Sequence, residues 1–214
     1  MREVICKYLK IFYQSEQLGT DGETEYFSVD ESLINHFDGK QVWLIGICNN
    51  KTKDFRIEAS YNRDAETLKA FIETYANKNS YIITDGWAGY SFLDNPNSGY
   101  TRIPHIHGGG DFGFALESTS HIESIWSQIK SKIKESYHLY PHKVFLYFVR
   151  EIEFKIMIMD LAYNDKIKKF FDIYDISKSV DDKYLLSDSN AFLNENLNLI
   201  LEEGDGNQSD SSDD

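Results

Sequence analysis

Residues 25–60 read EYFSVDESLINHFDGKQVWLIGICNNKTKDFRIEAS. Residues 25–32 are rich in aromatic and β-branched side chains, residues 42–48 are almost wholly apolar, and residues 55–60 alternate apolar with polar, so each segment predicts a strand. Asp38-Gly39 and Asn49-Asn50-Lys51 supply the turns between them. Connections this short join antiparallel neighbours, so the stretch predicts a three-stranded antiparallel sheet.

Beyond this stretch, the pattern alternates between helix and strand. Residues 80–84 and 100–103 predict a fourth and a fifth strand, and residues 87–93 predict one or two helical turns between them. Helical spacing marks two amphipathic segments. Their apolar positions are Leu68, Phe71, Ile72 and Tyr75, after a capping Asp64, and Ile122, Ile125, Trp126, Ile129 and Ile133. Residues 144–159 and 167–176 predict two further helices.

This order, β-β-β-α-β-α-β-α, predicts an α/β protein with a mixed sheet and flanking helices, the arrangement of the ribonuclease-H-like fold. The chain has 214 residues, which suits one main domain. We expect a leading helix and linker at 1–22, the main domain at 23–176, a helical extension at 177–203, and a disordered acidic tail at 204–214. No transmembrane span or signal peptide is expected, so we predict a protein that is not secreted.

Charge and cysteine content exclude some functions. The formal net charge is −13, and the last thirteen residues carry six acids and no Lys or Arg, which leaves −7 on the rest. This balance argues against strong long-range attraction to nucleic acid, although a divalent metal could neutralise acids locally. Two cysteines exclude a disulfide framework and a four-cysteine zinc module, and they suit a reducing compartment.

Three acids fall at informative positions in the predicted order. Asp30 lies on the first strand, Asp85 closes the fourth, and Glu123 opens the second amphipathic helix. Neighbouring first and fourth strands would place two carboxylates side by side, and a helix crossing the sheet could add the third. Converging carboxylates are costly unless a hard cation such as Mg²⁺ binds them. The alternative is ordinary, because acids at strand ends and helix starts are commonly caps or surface charges.

The local contexts of these acids resemble the ISXO2-like transposase domain of bacterial insertion sequences and their eukaryotic Merlin relatives. The family pattern has an acidic pair on the first strand, an (S/T)DGW-x-x-Y segment, a histidine before a glycine loop, and a T-N-x-I-E-x-x-W-x-x-x-K helix. The chain matches it at several points in the same order. These are Asp30-Glu31, Thr84-Asp85-Gly86-Trp87 with Tyr90, His107 before Gly108, and Ile122-Glu123 with Trp126 and Lys130.

The resemblance implies a DDE-type transposase catalytic domain at 23–176. Asp30, Asp85 and Glu123 would be both catalytic residues and ligands of two Mg²⁺ ions, with Mn²⁺ as a substitute. The reaction would be hydrolysis of a DNA phosphodiester, followed by attack of the freed 3′-OH on target DNA. DNA would be the partner, self-association would be expected, and the location would be nuclear in a eukaryote and cytoplasmic otherwise.

Two departures from the family pattern support an alternative function. His121 stands where many members carry Asn, and imidazole is a poor Mg²⁺ ligand. Only 29 residues precede Asp30, so we expect no upstream DNA-binding region. The alternative is therefore a truncated or domesticated, non-catalytic derivative that binds DNA or protein.

Four further residues are candidate substrate contacts. Lys130 lies within about 20° of Glu123 on the helix, where it could meet a phosphate. His107, His121 and Trp87 could line the site, with Trp87 stacking on a base. Each has a plainer interpretation as a packing or surface residue. The Gly108–110 run lacks the Lys-Ser/Thr of a P-loop, so we expect no nucleotide cofactor and no cofactor-binding residues.

Overall fold

The computed structural model describes residues 5, 9, 17–20, 22–37, 40–105, 115–136, 142–159 and 161–168. The predicted extension at 177–203, the tail at 204–214, most of the helix at 167–176, and His107 with its glycine loop lie outside the described residues. At the N-terminus, Ile5 and Leu9 are helical and buried in the core, and the leading helix and linker at 1–22 stay a prediction.

Five strands and three longer α-helices have bounds within the described residues, and residues 163–168 are also helical. The strands are β1 (Tyr26–Phe37), β2 (Lys40–Asn49), β3 (Phe55–Ser60), β4 (Tyr81–Thr84) and β5 (Thr101–Pro104). The helices are α1 (Ala65–Tyr75), α2 (Ser120–Ser136) and α3 (His142–Met157). Short 3₁₀ helices occupy Ala88–Asp94, Pro96–Ser98 and Ala115–Glu117.

The sheet has the order β3-β2-β1-β4-β5. The pairs β1–β2 and β2–β3 are antiparallel, whereas β1–β4 and β4–β5 are parallel. This mixed sheet, with three meandering strands followed by two parallel ones, confirms the predicted ribonuclease-H-like α/β fold. The first strand runs to Phe37, beyond the predicted end at Ser32, and continues through an irregularity between Leu33 and Asn35.

Alternation along β1 and β2 divides the core between the two faces of the sheet. On one face, Phe27, Val29 and Ile45 pack with the buried side of α1, which begins at the predicted cap: the Asp64 carboxylate accepts the Thr67 N–H at 2.9 Å. On the other face, the predicted apolar stripe of α2 is buried with residues of β2, β3 and α3. Its members are Ile122, Ile125, Trp126, Ile129 and Ile133.

The connection from β4 to β5 consists of 3₁₀ turns. The predicted helical turns at 87–93 are observed as Ala88–Asp94, followed by Pro96–Ser98. Pro96 has no N–H and disfavours helical backbone at Asn95, so this segment cannot extend into a longer α-helix. Among the described helices, none is long and apolar enough to cross a membrane.

Candidate active site

Asp30 projects from the middle of β1 toward α2. Its carboxylate Oδ2 accepts a hydrogen bond at 2.9 Å from the indole Nε1 of Trp126. The two residues meet because α2 lies very close to the sheet at Gly46, the β2 residue paired with Asp30. A Cβ on Gly46 would lie 2.6 Å from the Trp126 ring and 2.7 Å from Ile122, so only glycine admits this approach.

Asp85 follows the last residue of β4, on the strand next to β1. The parallel register pairs Ser28 with Ile83. Asp30 and Asp85 each lie two residues beyond that pair, so they occupy equivalent positions on adjacent strands, which are about 4.8 Å apart in a sheet. The Asp85 carboxylate accepts the Trp87 N–H at 2.9 Å, which begins the turn out of the strand.

Arg102 of β5 holds the loop that carries Asp85. Its Nη2 donates to the backbone oxygens of Asp85 and Trp87, both at 3.1 Å, and its Nε donates to Thr84 Oγ1 at 3.1 Å. The planar guanidinium thus fixes three points of this turn, at Thr84, Asp85 and Trp87. Its Nη1 pairs with the exposed carboxylate of Asp94 at 3.2 Å.

Glu123 lies in the first turn of α2 and is exposed. Thr119 donates its hydroxyl to Glu123 Oε1 at 2.6 Å. The segment before the helix is anchored by the buried Asn50, whose amide donates to the backbone oxygens of Leu116 and Ser118 at 2.7 and 2.9 Å. The β2–β3 turn therefore determines where α2 begins.

The three acids share one electrostatic environment. Burial raises the pKa of Asp30 most, the hydrogen bonds from the Glu31 backbone and Trp126 lower it, and the negative charges of Asp85 and Glu123 raise it further. Carboxylate oxygens are the ligands that Mg²⁺ prefers, and a cation would relieve this repulsion. Among the described residues, however, no three His, Cys, Asp or Glu side chains surround one point closely enough to hold a metal ion.

Glu31 is a second acid at the same level of β1, on the opposite face of the sheet. Tyr90 donates its hydroxyl to Glu31 Oε2 at 2.7 Å, while the buried Oε1 has no hydrogen-bond partner in the part of the chain that the structure describes. Burial raises the pKa of Glu31 to about 7, against the Tyr90 hydrogen bond, and the charges of Asp30 and Asp85 contribute to the rise.

The other candidate contacts lie in different surroundings. Lys130 is exposed and, by helical geometry, on the flank of α2 that carries Glu123. His121 lies on the other flank, where its Nε2 contacts Nζ of Lys53, and its pKa is lowered by burial and then by the Lys53 charge. Trp87 is half-buried and packs edge-on against Tyr90, with ring centroids 6.0 Å apart.

Three residues of the site are not recognisable in the sequence pattern. Trp126 is predicted as core, which it is, but its bond to Asp30 has no local signal. Arg102 and Arg63 lie on a short strand and in a loop, where no periodicity marks their partners. The Arg63 guanidinium lies over the rings of Trp43 and Trp87, 4.1 and 4.5 Å from their centroids.

The ribonuclease-H-like sheet thus carries acids on β1, after β4 and on α2. The chain belongs to the ISXO2-like transposase domain family, whose match covers residues 35–156. Asp85 and Glu123 lie inside this range and Asp30 lies five residues before it. No curated protein sequence matches the chain.

Two solved structures are similar in outline. The catalytic core domain of HTLV-2 integrase, in complex with magnesium, is 9% identical, with a TM-score of 0.42 over 69% of this chain and 93% of that one. The catalytic core domain of BIV integrase is 10% identical, with a TM-score of 0.43 over 71% of this chain and 99% of that one.

Proposed function

We propose that the chain is a DDE-type transposase catalytic core that cuts and joins DNA with two divalent ions, Mg²⁺ or Mn²⁺, held by Asp30, Asp85 and Glu123. The observation that carries the proposal is geometric: Asp30 and Asp85 lie two residues beyond the same pair of adjacent parallel strands, and the helix that carries Glu123 packs on Asp30 through Trp126. Mg²⁺ is commonly bound through one or two carboxylates plus waters and substrate phosphates, so neither ion needs three protein ligands.

Each proposed ligand is restrained by a different part of the fold. The Trp126 indole orients Asp30, the Trp87 N–H and Arg102 fix Asp85 and its turn, and Thr119 orients Glu123. When bound, paired ions activate the attacking oxygen and stabilise the leaving one. Lys130, on the Glu123 flank, would contact a DNA phosphate.

The proposed reaction has two phosphoryl-transfer steps. Water attacks a phosphodiester phosphorus, and the P–O bond to the 3′ oxygen breaks as the new P–O bond forms, so a 3′-OH is released. That hydroxyl then attacks a phosphorus of target DNA and displaces another 3′ oxygen. Self-association would bring two element ends together, and DNA as substrate implies action in the nucleus of a eukaryote or the cytoplasm otherwise.

A second candidate function is a non-catalytic derivative that binds DNA or protein. It is favoured by the lack of a three-ligand cluster among the described side chains and by the contact of His121 with Lys53. In this case the fold would be retained without metal-dependent cleavage.

A nicking assay separates the two candidates. Supercoiled plasmid and a duplex carrying the matching terminal repeats are incubated with Mg²⁺ or Mn²⁺. The catalytic proposal expects nicking that is abolished by Asp85→Ala and by Glu123→Gln. Glu66→Gln is a matched control, because Glu66 is also an exposed acid in the first turn of a helix. Nicking that survives Asp85→Ala contradicts the proposal.

A further inference from the structure

Arg63 has an unusual setting between β3 and α1. Its side chain is exposed, yet its guanidinium lies over two indole rings, with Cζ 4.1 Å from the Trp43 ring centroid and 4.5 Å from that of Trp87. Trp43 belongs to β2 and Trp87 to the turn after β4. Two rings from separate segments therefore restrain the position of this cation, whereas the side chain of an exposed arginine ordinarily has no such restraint.

The hydrogen-bonding groups of this cation remain available. Ring faces attract the charge of a guanidinium but do not accept its N–H groups as a carboxylate or carbonyl oxygen does. Among the described residues, Arg63 makes no ion pair and no side-chain hydrogen bond. A restrained guanidinium with unused donors suits a group with two adjacent anionic oxygens, and a phosphate takes two parallel N–H bonds from it.

Arg63 also lies near the turn that carries Asp85, on the face of the sheet to which Glu31 points and not on the Asp30 face. Its positive charge lowers the pKa of Glu31, the neighbour of Asp30 in β1. Trp87 links it to Asp85, because the backbone N–H of Trp87 donates to that carboxylate while its ring contacts the guanidinium. When the scissile phosphate of a DNA strand reaches the acids, a neighbouring phosphate of the same strand would lie close to the guanidinium N–H groups of Arg63.

We propose that Arg63 binds a backbone phosphate of the DNA strand that enters the acidic site, and that Trp43 and Trp87 are positioning residues for it. This inference rests on the proposed function, because it takes DNA as the ligand. The ring of Trp87 already contacts Arg63 and packs edge-on against Tyr90. It also lies over Gly89, where a Cβ would be 2.5 Å from it. Trp87 therefore acts through Arg63 and not by stacking on a base.

Fluorescence anisotropy with a fluorescein-labelled DNA duplex tests the proposal. All proteins carry Asp85→Asn, which keeps the probe intact and retains an oxygen that can accept the Trp87 N–H. Arg63→Ala is expected to weaken binding roughly tenfold, the effect of losing one charge-assisted contact. It is also expected to reduce the slope of log K against log salt by about one. Trp43→Leu keeps the charge, so it should weaken binding without this change in slope.

Lys155→Ala is the matched control. It removes the same charge from an exposed side chain on α3, where Lys155 pairs with Glu151 at 2.5 Å, and it should leave affinity unchanged. Equal affinities of the Arg63→Ala and Lys155→Ala proteins would overturn the proposal, as would a failure of the Asp85→Asn protein to bind the duplex. If binding depends on Arg63 but the unsubstituted protein does not nick DNA, the phosphate site is supported and the catalytic function is rejected. If the unsubstituted protein nicks DNA but binding does not depend on Arg63, the catalytic function is supported and the phosphate site is rejected.

Discussion

Trp126 of α2 and Asp30 of β1 are 96 residues apart and share a 2.9 Å hydrogen bond, from the indole Nε1 to the carboxylate Oδ2. The same ring is buried against the sheet at Gly46. One side chain therefore fixes the distance of the helix from the sheet and orients an acid of the candidate site. Packing of α2 and the geometry of Asp30 cannot vary independently.

Trp126→Phe separates these two roles. The phenyl ring retains most of the buried surface but donates no hydrogen bond, so the pKa of Asp30 should rise because the bond from Trp126 lowers it. We expect the acid limb of the pH–nicking profile to move to higher pH, and the free energy of unfolding to fall by about 1–3 kcal/mol. An unchanged profile would show that the bond does not influence the protonation of Asp30.

The ionisation of Glu31 should make the free energy of unfolding depend on pH, and substitution of this one residue can isolate its contribution. Its pKa is raised to about 7 in the folded chain from an ordinary 4.5. A raised carboxyl pKa means that the folded state binds the proton more tightly. This stabilisation is therefore complete below pH 4.5 and lost as pH rises through 7, by at most about 3 kcal/mol.

Glu31→Gln should remove that dependence, because the amide remains neutral throughout and can still accept from Tyr90. Urea unfolding of both proteins between pH 4 and about 8 gives the comparison. We expect the stability of Glu31→Gln relative to the parent to increase with pH across this window. A constant difference would contradict the raised pKa.

Arg102 should be needed for the geometry of Asp85 more than for charge. Arg102→Lys retains the cation but cannot reach the backbone oxygens of Asp85 and Trp87 together with Thr84 Oγ1. We expect nicking to fall at least tenfold and the midpoint of thermal unfolding to decrease. Asp94→Ala removes only the exposed partner of the ion pair and should affect both measurements little, so equal losses in the two variants would refute this role.

The sequence predicts the scaffold of this site better than its connections. The aromatic and β-branched content around Val29, the alternation around Ile57, the cap at Asp64 and the stripe from Ile122 to Ile133 are local patterns, and the elements that they predict are confirmed. The bond from Trp126 to Asp30, the contacts of Arg102 and the stacking of Arg63 join segments that are far apart in the chain. Such contacts depend on the register between strands and on the distance of each helix from the sheet, and neither is encoded within a single segment of the sequence.

The edge strand β3 is closed by a buried ionic network from α3. Arg150 donates to the Ile57 backbone oxygen at 2.5 Å and pairs with Glu58 at 2.6 Å and Glu153 at 2.7 Å, and both carboxylates are fully buried. Tyr75 donates to Glu58 at 2.6 Å. Arg150 thereby occupies one backbone acceptor of the edge strand and joins α3 to both carboxylates.

Arg150→Met should therefore destabilise the fold by about 3–5 kcal/mol, because it leaves buried carboxylates without their cation. Chemical denaturation at neutral pH measures the loss, which should shrink as pH falls and the carboxyls become protonated. Burial raises the pKa of Glu153 well above its usual value, so part of the recovery should begin early in an acid titration. A pH-independent loss would mean that packing, and not charge, dominates at this edge.

Gly46→Ala tests whether the position of α2 controls the candidate site. The added methyl would lie 2.6 Å from the Trp126 ring and 2.7 Å from Ile122, so the helix must shift away from the sheet. Overpacking of this kind costs about 1–3 kcal/mol in the free energy of unfolding.

The shift of the helix also moves Trp126 away from Asp30, and it displaces Glu123, the residue that follows Ile122. We expect nicking to decrease well beyond what the loss of folded protein explains. Ile72→Val is the control for stability, since it removes one methylene from the core on the α1 side of the sheet, at about 0.5–1.5 kcal/mol, without contact with α2. Full nicking by a destabilised Gly46→Ala protein would show that the acids do not depend on the height of the helix above the sheet.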